Sequence, residues 1–134
     1  MIVNINNLVK RYDDVLAVDH LNLQIQEGEI FGLLGPNGSG KSTTINCILA
    51  LLEYDKGSIE VFNEEMSPES YDIKRNIGVI FQQVAVFEEL TVYENIKYFC
   101  SLYVKDKNEV KRLTEEAISF VSLEDYVKFF PSKL

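Results

Sequence analysis

The chain has 134 residues, 46% of them apolar and 25% charged, and its formal net charge is −8. These values predict one domain with a buried core and exclude wholesale disorder. The acidic balance argues against nucleic acid and anionic lipid headgroups as general partners. The first residues lack the pattern of a signal peptide, and no apolar stretch is long enough to cross a bilayer.

Five strands are predicted along the first part of the chain. Residues 2–9 form the first, and residues 21–26 alternate strictly between apolar and polar, as in a half-buried strand with one wet face. Residues 30–34 are a continuous apolar run, which is typical of a strand buried on both faces. Residues 58–62 predict a fourth strand, and residues 77–81 predict a short buried fifth one.

Helical periodicity follows the glycine-rich segment and dominates the last third of the chain. The first predicted helix has one apolar face formed by Ile45, Ile48, Leu49 and Leu52. Thr91 and Glu94 form a capping box, after which the predicted buried residues are Val92, Ile96, Phe99, Cys100 and Tyr103. A further helix begins near Asn108, and its apolar face would contain Val110, Leu113, Ala117, Phe120 and Val121. A short last helix ends before Pro131.

The only two cysteines, Cys47 and Cys100, lie in apolar stretches without the spacing of metal ligands. They predict reduced core thiols in a cytosolic protein. The only histidine, His20, is predicted to be partly buried in an early strand.

The segment GPNGSGKS at 35–42 has the spacing of a phosphate-binding loop, G-x-x-x-x-G-K-[ST]. Glycines let backbone amides approach a phosphate, and the following helix directs its positive end to the same point. Lys41 would lie between the β- and γ-phosphates, and the Ser42 hydroxyl would bind Mg²⁺. The predicted nucleotide-binding residues of this segment are Gly35, Asn37, Gly38, Ser39, Gly40, Lys41, Ser42 and Thr43. A buried strand before it and an amphipathic helix after it disfavour a plain glycine-rich turn.

The longer phrase GLLGPNGSGKSTTINCI at 32–48 resembles the Walker A region of ABC transporter ATP-binding subunits, and residues 8–38 match that family's N-terminal half. The resemblance implies an α/β fold of the ABC type of P-loop NTPase, with an antiparallel β part, a Walker A strand–loop–helix unit and the start of a helical subdomain. It divides the single domain, 1–134, into a β-rich ATP-binding part at 1–85 and a helical part at 86–134.

The resemblance also implies roles for residues outside the loop. Tyr12 would stack on adenine and Val18 would pad the same face, although the sequence pattern without the resemblance favours an amphipathic surface tyrosine at position 12. IGVIFQQVAVFEELTVYENI at 77–96 resembles the family's Q-loop region. Gln82 would then join the Mg²⁺ shell or orient the attacking water, and a register shift to Gln83 stays open.

The family's signature motif, Walker B aspartate, catalytic glutamate and switch histidine would follow Leu134, so none lies within these residues. The complete family subunit would be an ATPase. For residues 1–134 themselves we expect ATP binding without significant hydrolysis, because a general base is missing. We also expect a truncated sheet with an open strand edge and a tendency to self-associate.

The resemblance implies binding of ATP and Mg²⁺ at the cytoplasmic face of a membrane, with transmembrane permease subunits and a second, head-to-tail ATP-binding subunit as partners. Segment 91–95 would lie close to the membrane subunit. Two alternatives stay open: a non-catalytic nucleotide-binding fragment, and another P-loop enzyme such as a small-molecule kinase. Against a kinase, residues 105–134 contain only one arginine, Arg112, where a lid would need several.

Overall fold

The computed structural model describes residues 1–83 and 85–134, which form two compact units, Met1–Gly78 and Val79–Leu134. None of the helices within these ranges is both long and apolar enough to span a membrane. The division into functional parts at 85/86 stays a prediction.

The first unit contains a four-stranded sheet in which all neighbours are antiparallel. The strands are β1 (Val3–Tyr12), β2 (Val15–Ile25), β3 (Lys56–Val61) and β4 (Glu64–Glu65), in the spatial order β2-β1-β3-β4. The first, second and fourth predicted strands are therefore confirmed, and β1 and β2 are longer than predicted. Half-buried residues alternate with exposed ones over 21–26, which confirms the wet face of β2.

The prediction of buried strands at 30–34 and 77–81 is wrong for the described residues. Neither segment pairs with a strand of the sheet, and Ile30 and Ile80 are 100% exposed. The apolar runs are real, but a strand buried on both faces needs hydrogen-bonded neighbours and two covering layers. The residues described in the structure provide neither at these positions.

The first helix, α1 (Lys41–Ile48), follows the glycine-rich loop. It buries Thr44 and Cys47, whereas Ile45 is 46% exposed, so the predicted face is rotated from the one that packs. Cys47 joins a core formed with Ile5, Leu8, Val18, Ile59, Val61, Met66 and Ile73. Burial raises the pKa of its thiol and keeps it protonated, as expected for a core cysteine. A short helix, α2 (Tyr71–Lys74), closes this unit.

His20 lies in β2 as predicted, but it is exposed rather than partly buried. Its φ of 47° places it at an irregularity of the β1–β2 ladder. Its Nδ1 atom lies 2.7 Å from Asp19 Oδ1. A β-bulge re-aims side chains, which explains the difference.

The second unit contains α3 (Val92–Tyr103), α4 (Lys107–Phe120) and 3₁₀ turns at Glu124–Tyr126 and Pro131–Lys133. Both long helices and the short last one were predicted, but their buried faces are partly different. The residues that are actually buried are Val92, Asn95, Val110, Thr114 and Ile118. Other residues were predicted to be buried but are exposed: Phe99, Tyr103, Ala117, Phe120 and Val121.

Asn95 is the polar centre of this unit and is only 5% exposed. Its Oδ1 accepts from the Phe87 amide at 2.8 Å. Its Nδ2, which has two N–H donors, lies 3.0 Å from each of the carbonyl oxygens of Phe87, Leu90 and Thr91. One side chain therefore fastens the segment before α3 to the first turn of that helix.

The capping box at the start of α3 is confirmed. Glu94 accepts bonds from the Thr91 amide and hydroxyl, each at 2.8 Å, while the Thr91 hydroxyl accepts from the Glu94 amide at 3.3 Å. The bond from the Thr91 backbone, followed by that from its hydroxyl, lowers the pKa of the Glu94 carboxyl below its ordinary 4.5. The carboxylate is thus stabilised by folding.

Stability should consequently depend on pH through Glu94. A carboxyl whose pKa is lower in the folded than in the unfolded state stabilises the fold fully at pH values above its unfolded-state pKa. This stabilisation is lost as the pH falls through its folded-state pKa. Wild type should therefore exceed Glu94→Gln in thermal stability at neutral pH, and the difference should shrink below pH 4.5. Melting curves across this range measure it. In a Thr91→Ala background the pH-dependent difference should become smaller without vanishing, because the hydroxyl is removed while the backbone amide still donates to Glu94. A gap of unchanged size at acid pH would contradict the assignment.

Asn95→Ala should destabilise the chain by about 2–4 kcal/mol, because it removes the hydrogen bonds of a buried side chain and takes a partner from part-buried backbone groups such as the Phe87 amide. Urea unfolding followed by far-UV circular dichroism measures the change. Asn108→Ala is the matched control, since Asn108 is exposed and should change stability by less than about 0.5 kcal/mol. Equal unfolding midpoints for the two variants would refute the role of Asn95.

Candidate nucleotide-binding site

The glycine-rich loop before α1 contains a tight turn. The Ser39 amide donates to the Pro36 carbonyl at 3.2 Å, and Gly38, at the third position of this turn, has a φ of 82°. That geometry belongs to a type II turn, which favours glycine at this position. The Asn-Gly pair therefore bends the exposed loop back on itself.

Gly40 is held against β2. Its φ is 86°, and a Cβ built on it would lie 2.3 Å from the Ala17 carbonyl oxygen. No larger residue fits there without moving the backbone. The second glycine of the motif is thus required both by its left-handed conformation and by close contact with the sheet.

Lys41 closes the loop on itself. Its Nζ donates to the carbonyls of Gly35 and Pro36, each at 2.7 Å, and lies 3.5 Å from Ser39 Oγ. An ammonium has three N–H donors, and the contact with Ser39 is long for a hydrogen bond. The third donor can therefore be offered to an anion within the loop.

The start of α1 adds further donors. Its N-cap, Gly40, has no side chain to bond the first amides, and the first turn contains no acidic residue. The Thr44 amide bonds the Gly40 carbonyl at 2.8 Å, so the amides of 41–43 precede the first intrahelical bond. Ser42, in this first turn, is exposed. Backbone amides, an ammonium and a hydroxyl meet here, which suits a phosphate group and an oxygen-coordinated cation.

Tyr12 and Val18 have different surroundings in the same unit. Tyr12 ends β1, is 45% exposed, and has Lys10 Nζ 5.3 Å from its ring centroid. Val18 is 6% exposed and belongs to the core. If Gly40 had a Cβ, that atom would lie 3.6 Å from Val18 Cγ2, so Val18 is close to the loop. Tyr12 thus offers a ring to a ligand, whereas Val18 supports the loop from inside.

Gln82 and Gln83 lie in an exposed bend of the second unit. Their predicted roles at Mg²⁺, and the choice between them, stay predictions.

One polar residue near the site was not predicted. Asp55, just before β3, accepts a bond from the Arg11 amide through Oδ2 at 2.6 Å, next to Tyr12. No periodicity marks an aspartate of this kind, because its partner lies 44 residues away in the chain.

The family model described as ABC transporter matches residues 18–133. This chain belongs to the ABC transporter family. The match confirms the resemblance drawn from the Walker A region and includes the whole phosphate-binding loop.

Curated relatives agree along nearly the full length of the chain. It is 37% identical over 135 residues to the sulfate/thiosulfate import ATP-binding protein CysA of Synechocystis, covering 100% of this chain and 38% of that protein. It is 31% identical to the methionine import ATP-binding protein MetN of Clostridium tetani, covering 98% and 43%. It is 35% identical to the linearmycin resistance ATP-binding protein LnrL of Bacillus subtilis, covering 91% and 39%. The chain thus spans about four-tenths of the length of these relatives.

Solved structures share the fold. The dimeric ATP-binding cassette MJ0796, in a post-hydrolysis state bound to ADP and Pi, superposes with a TM-score of 0.81 at 28% identity, covering 98% of this chain and 62% of that one. The cbiO1 protein from Clostridium perfringens gives a TM-score of 0.89 at 23% identity, covering 99% and 55%. The latter similarity concerns the fold alone. Together they confirm the predicted ABC-type α/β fold.

Gly40→Ala should both destabilise the chain, by at least about 1–3 kcal/mol, and weaken phosphate binding, because a Cβ meets the Ala17 carbonyl. Urea unfolding and calorimetric titration with tripolyphosphate measure the two effects. Gly32→Ala is the control, since a Cβ there has nothing within 4 Å and the backbone is not left-handed. If Gly40→Ala matches Gly32→Ala in both measurements, the close contact has no role.

Proposed function

We propose that this chain binds Mg²⁺-ATP as part of the nucleotide-binding subunit of an ABC transporter. The observation that carries this proposal is the closed loop at 35–42, in which Lys41 bonds back to two loop carbonyls and a left-handed glycine leads directly into the start of α1. The complete protein would couple ATP binding and hydrolysis to transport across a membrane.

The residues of the loop fit a triphosphate. The ammonium of Lys41 and the amides of Gly40 and 41–43 would hold its oxygens. The Ser39 amide donates to the Pro36 carbonyl, so Ser39 would contribute by shaping the loop, together with Gly35, Asn37 and Gly38. Tyr12 would stack on adenine, while Val18 backs the loop. The two ends of ATP would thus be recognised by different chemistry, charge for the phosphates and π-stacking for the base.

The Ser42 hydroxyl fits a hard divalent cation, because oxygen is the donor that Mg²⁺ prefers. Bound Mg²⁺ would neutralise charge that develops on the phosphates. We propose Gln82 as a second residue that acts at the cation or the attacking water, and Lys41 as the residue that stabilises charge at the β- and γ-phosphates.

The relatives support the shared part of this function. Two of their names refer to import, of sulfate or thiosulfate and of methionine, and the third refers to linearmycin resistance. Each of the three is called an ATP-binding protein. Transmembrane permease subunits and a second ATP-binding subunit would be the partners, at the cytoplasmic face of the membrane. The cassette MJ0796 is itself described as dimeric, which agrees with the second partner.

Lys41→Ala should weaken ATP binding roughly 10- to 150-fold, the affinity equivalent of losing a charge-assisted hydrogen bond. Isothermal titration calorimetry with ATP, with and without Mg²⁺, measures this loss. Wild type should bind ATP more tightly when Mg²⁺ is present. Lys105→Ala removes the same charge from an exposed position in the second unit and should bind like wild type. Equal affinity of Lys41→Ala and wild type would refute the proposed phosphate site.

A further inference from the structure

The end of β1, which carries Tyr12, is paired unequally on its two sides. Towards β2 the pairing continues to the last residue, with Tyr12 opposite Val15. Towards β3 it ends with Val9 opposite Lys56. A strand end held from one side only is free to twist and fray. The orientation of the Tyr12 ring therefore needs a further support.

Asp55 supplies that support at the side where strand pairing has ended. Its amide donates to the Val9 carbonyl at 2.9 Å, and its Oδ2 accepts from the Arg11 amide at 2.6 Å. Asp55 thus forms hydrogen bonds with two successive backbone groups on the same edge of β1, as a residue of a neighbouring strand would. Bonds to a carboxylate are shorter and stronger than neutral ones, and the second distance is of this kind.

The position of Asp55 is itself fixed by the start of β3. Gly57 has a φ of 104°, and a Cβ there would lie 2.5 Å from the Asn6 carbonyl oxygen and 2.6 Å from that of Asn7. The backbone of β3 therefore touches the irregular part of β1 two residues after Asp55. Asp55 thus directly precedes a strand start that is packed closely against β1.

The Tyr12 ring has little other restraint. The turn that follows is only two residues long, with Asp13 at a φ of 47°. Lys10 Nζ lies over the ring, 5.3 Å from its centroid, so a stacked base would take the other face. Since the ring is 45% exposed, its direction depends mainly on the backbone of β1.

We propose that Asp55 is a positioning residue for base recognition: by holding the Arg11 amide, it orients Tyr12 so that adenine can stack on the ring. This inference rests on the proposed function, that the chain binds ATP with Tyr12 at the base. Asp55 touches neither base nor phosphate in this arrangement. Its removal should consequently affect ligands that have a base and spare those that do not.

The test is a double-mutant cycle measured by calorimetry on the full chain. Tyr12→Ala should weaken ATP binding roughly 5- to 150-fold, the equivalent of one base stacked on an aromatic ring. Asp55→Ala should weaken ATP binding by at least about threefold. Combining Asp55→Ala with Tyr12→Ala should cause no further loss, because Asp55 acts through Tyr12. Affinity for tripolyphosphate should stay within about twofold in every variant.

Two further variants separate the hydrogen bond from charge. Asp55→Asn keeps an acceptor oxygen and should restore most of the ATP affinity. Glu53→Ala removes an acidic side chain two residues away, for which the described residues show no hydrogen bond, and should bind ATP like wild type. A general loss of fold would instead weaken tripolyphosphate as well as ATP, and would overturn the assignment.

The possible failures are distinguishable. If wild type does not bind ATP, or Lys41→Ala binds it equally well, the proposed function fails and the inference with it. If wild type binds ATP and Tyr12→Ala weakens it, but Asp55→Ala does not, only the inference fails. Additive losses in the double variant also overturn it, since Asp55 would then act independently of Tyr12.

Discussion

The contact between Gly40 and the Ala17 carbonyl is the constraint on which the candidate site depends. It joins the phosphate-binding loop to β2 at a distance that excludes any Cβ. The same strand pairs with β1, whose last residue is Tyr12. The sheet therefore connects the loop to the strand end that carries the aromatic ring, and the core under the sheet includes Val18 and Cys47.

Local patterns in the sequence predicted the loop, α1 and the strands β1, β2 and β3, because each is specified by residues close together in the chain. Glycine conformations, strict alternation and a capping box act over a few positions. The same patterns could not predict the structure of residues 30–34 or 77–81, since an apolar run forms a strand only when a neighbouring strand pairs with it. Ile30 and Ile80 show that a correct hydrophobic pattern does not by itself produce burial.

The helices of the second unit show a related limit. Their positions follow from caps and periodicity, but their packed faces depend on which side chains find partners. Asn95 and Thr114 are buried because their polar atoms bond backbone carbonyls within reach, at the Thr91 and Val110 carbonyls among others. Phe120 stays 90% exposed although it is strongly apolar. Hydrogen-bond satisfaction, which periodicity ignores, decided these positions. Asp55 was missed for the same reason.

The bonds from Lys41 to the Gly35 and Pro36 carbonyls have a consequence for the kinetics of ligand capture. A loop closed by its own ammonium has already lost its conformational entropy during folding, so an arriving anion meets a finished shape. The encounter then resembles that of a rigid receptor, whose rate is set by diffusion and orientation. With the proposed function, Lys41 would act twice, first by bracing the loop and then as a charge that attracts the phosphates.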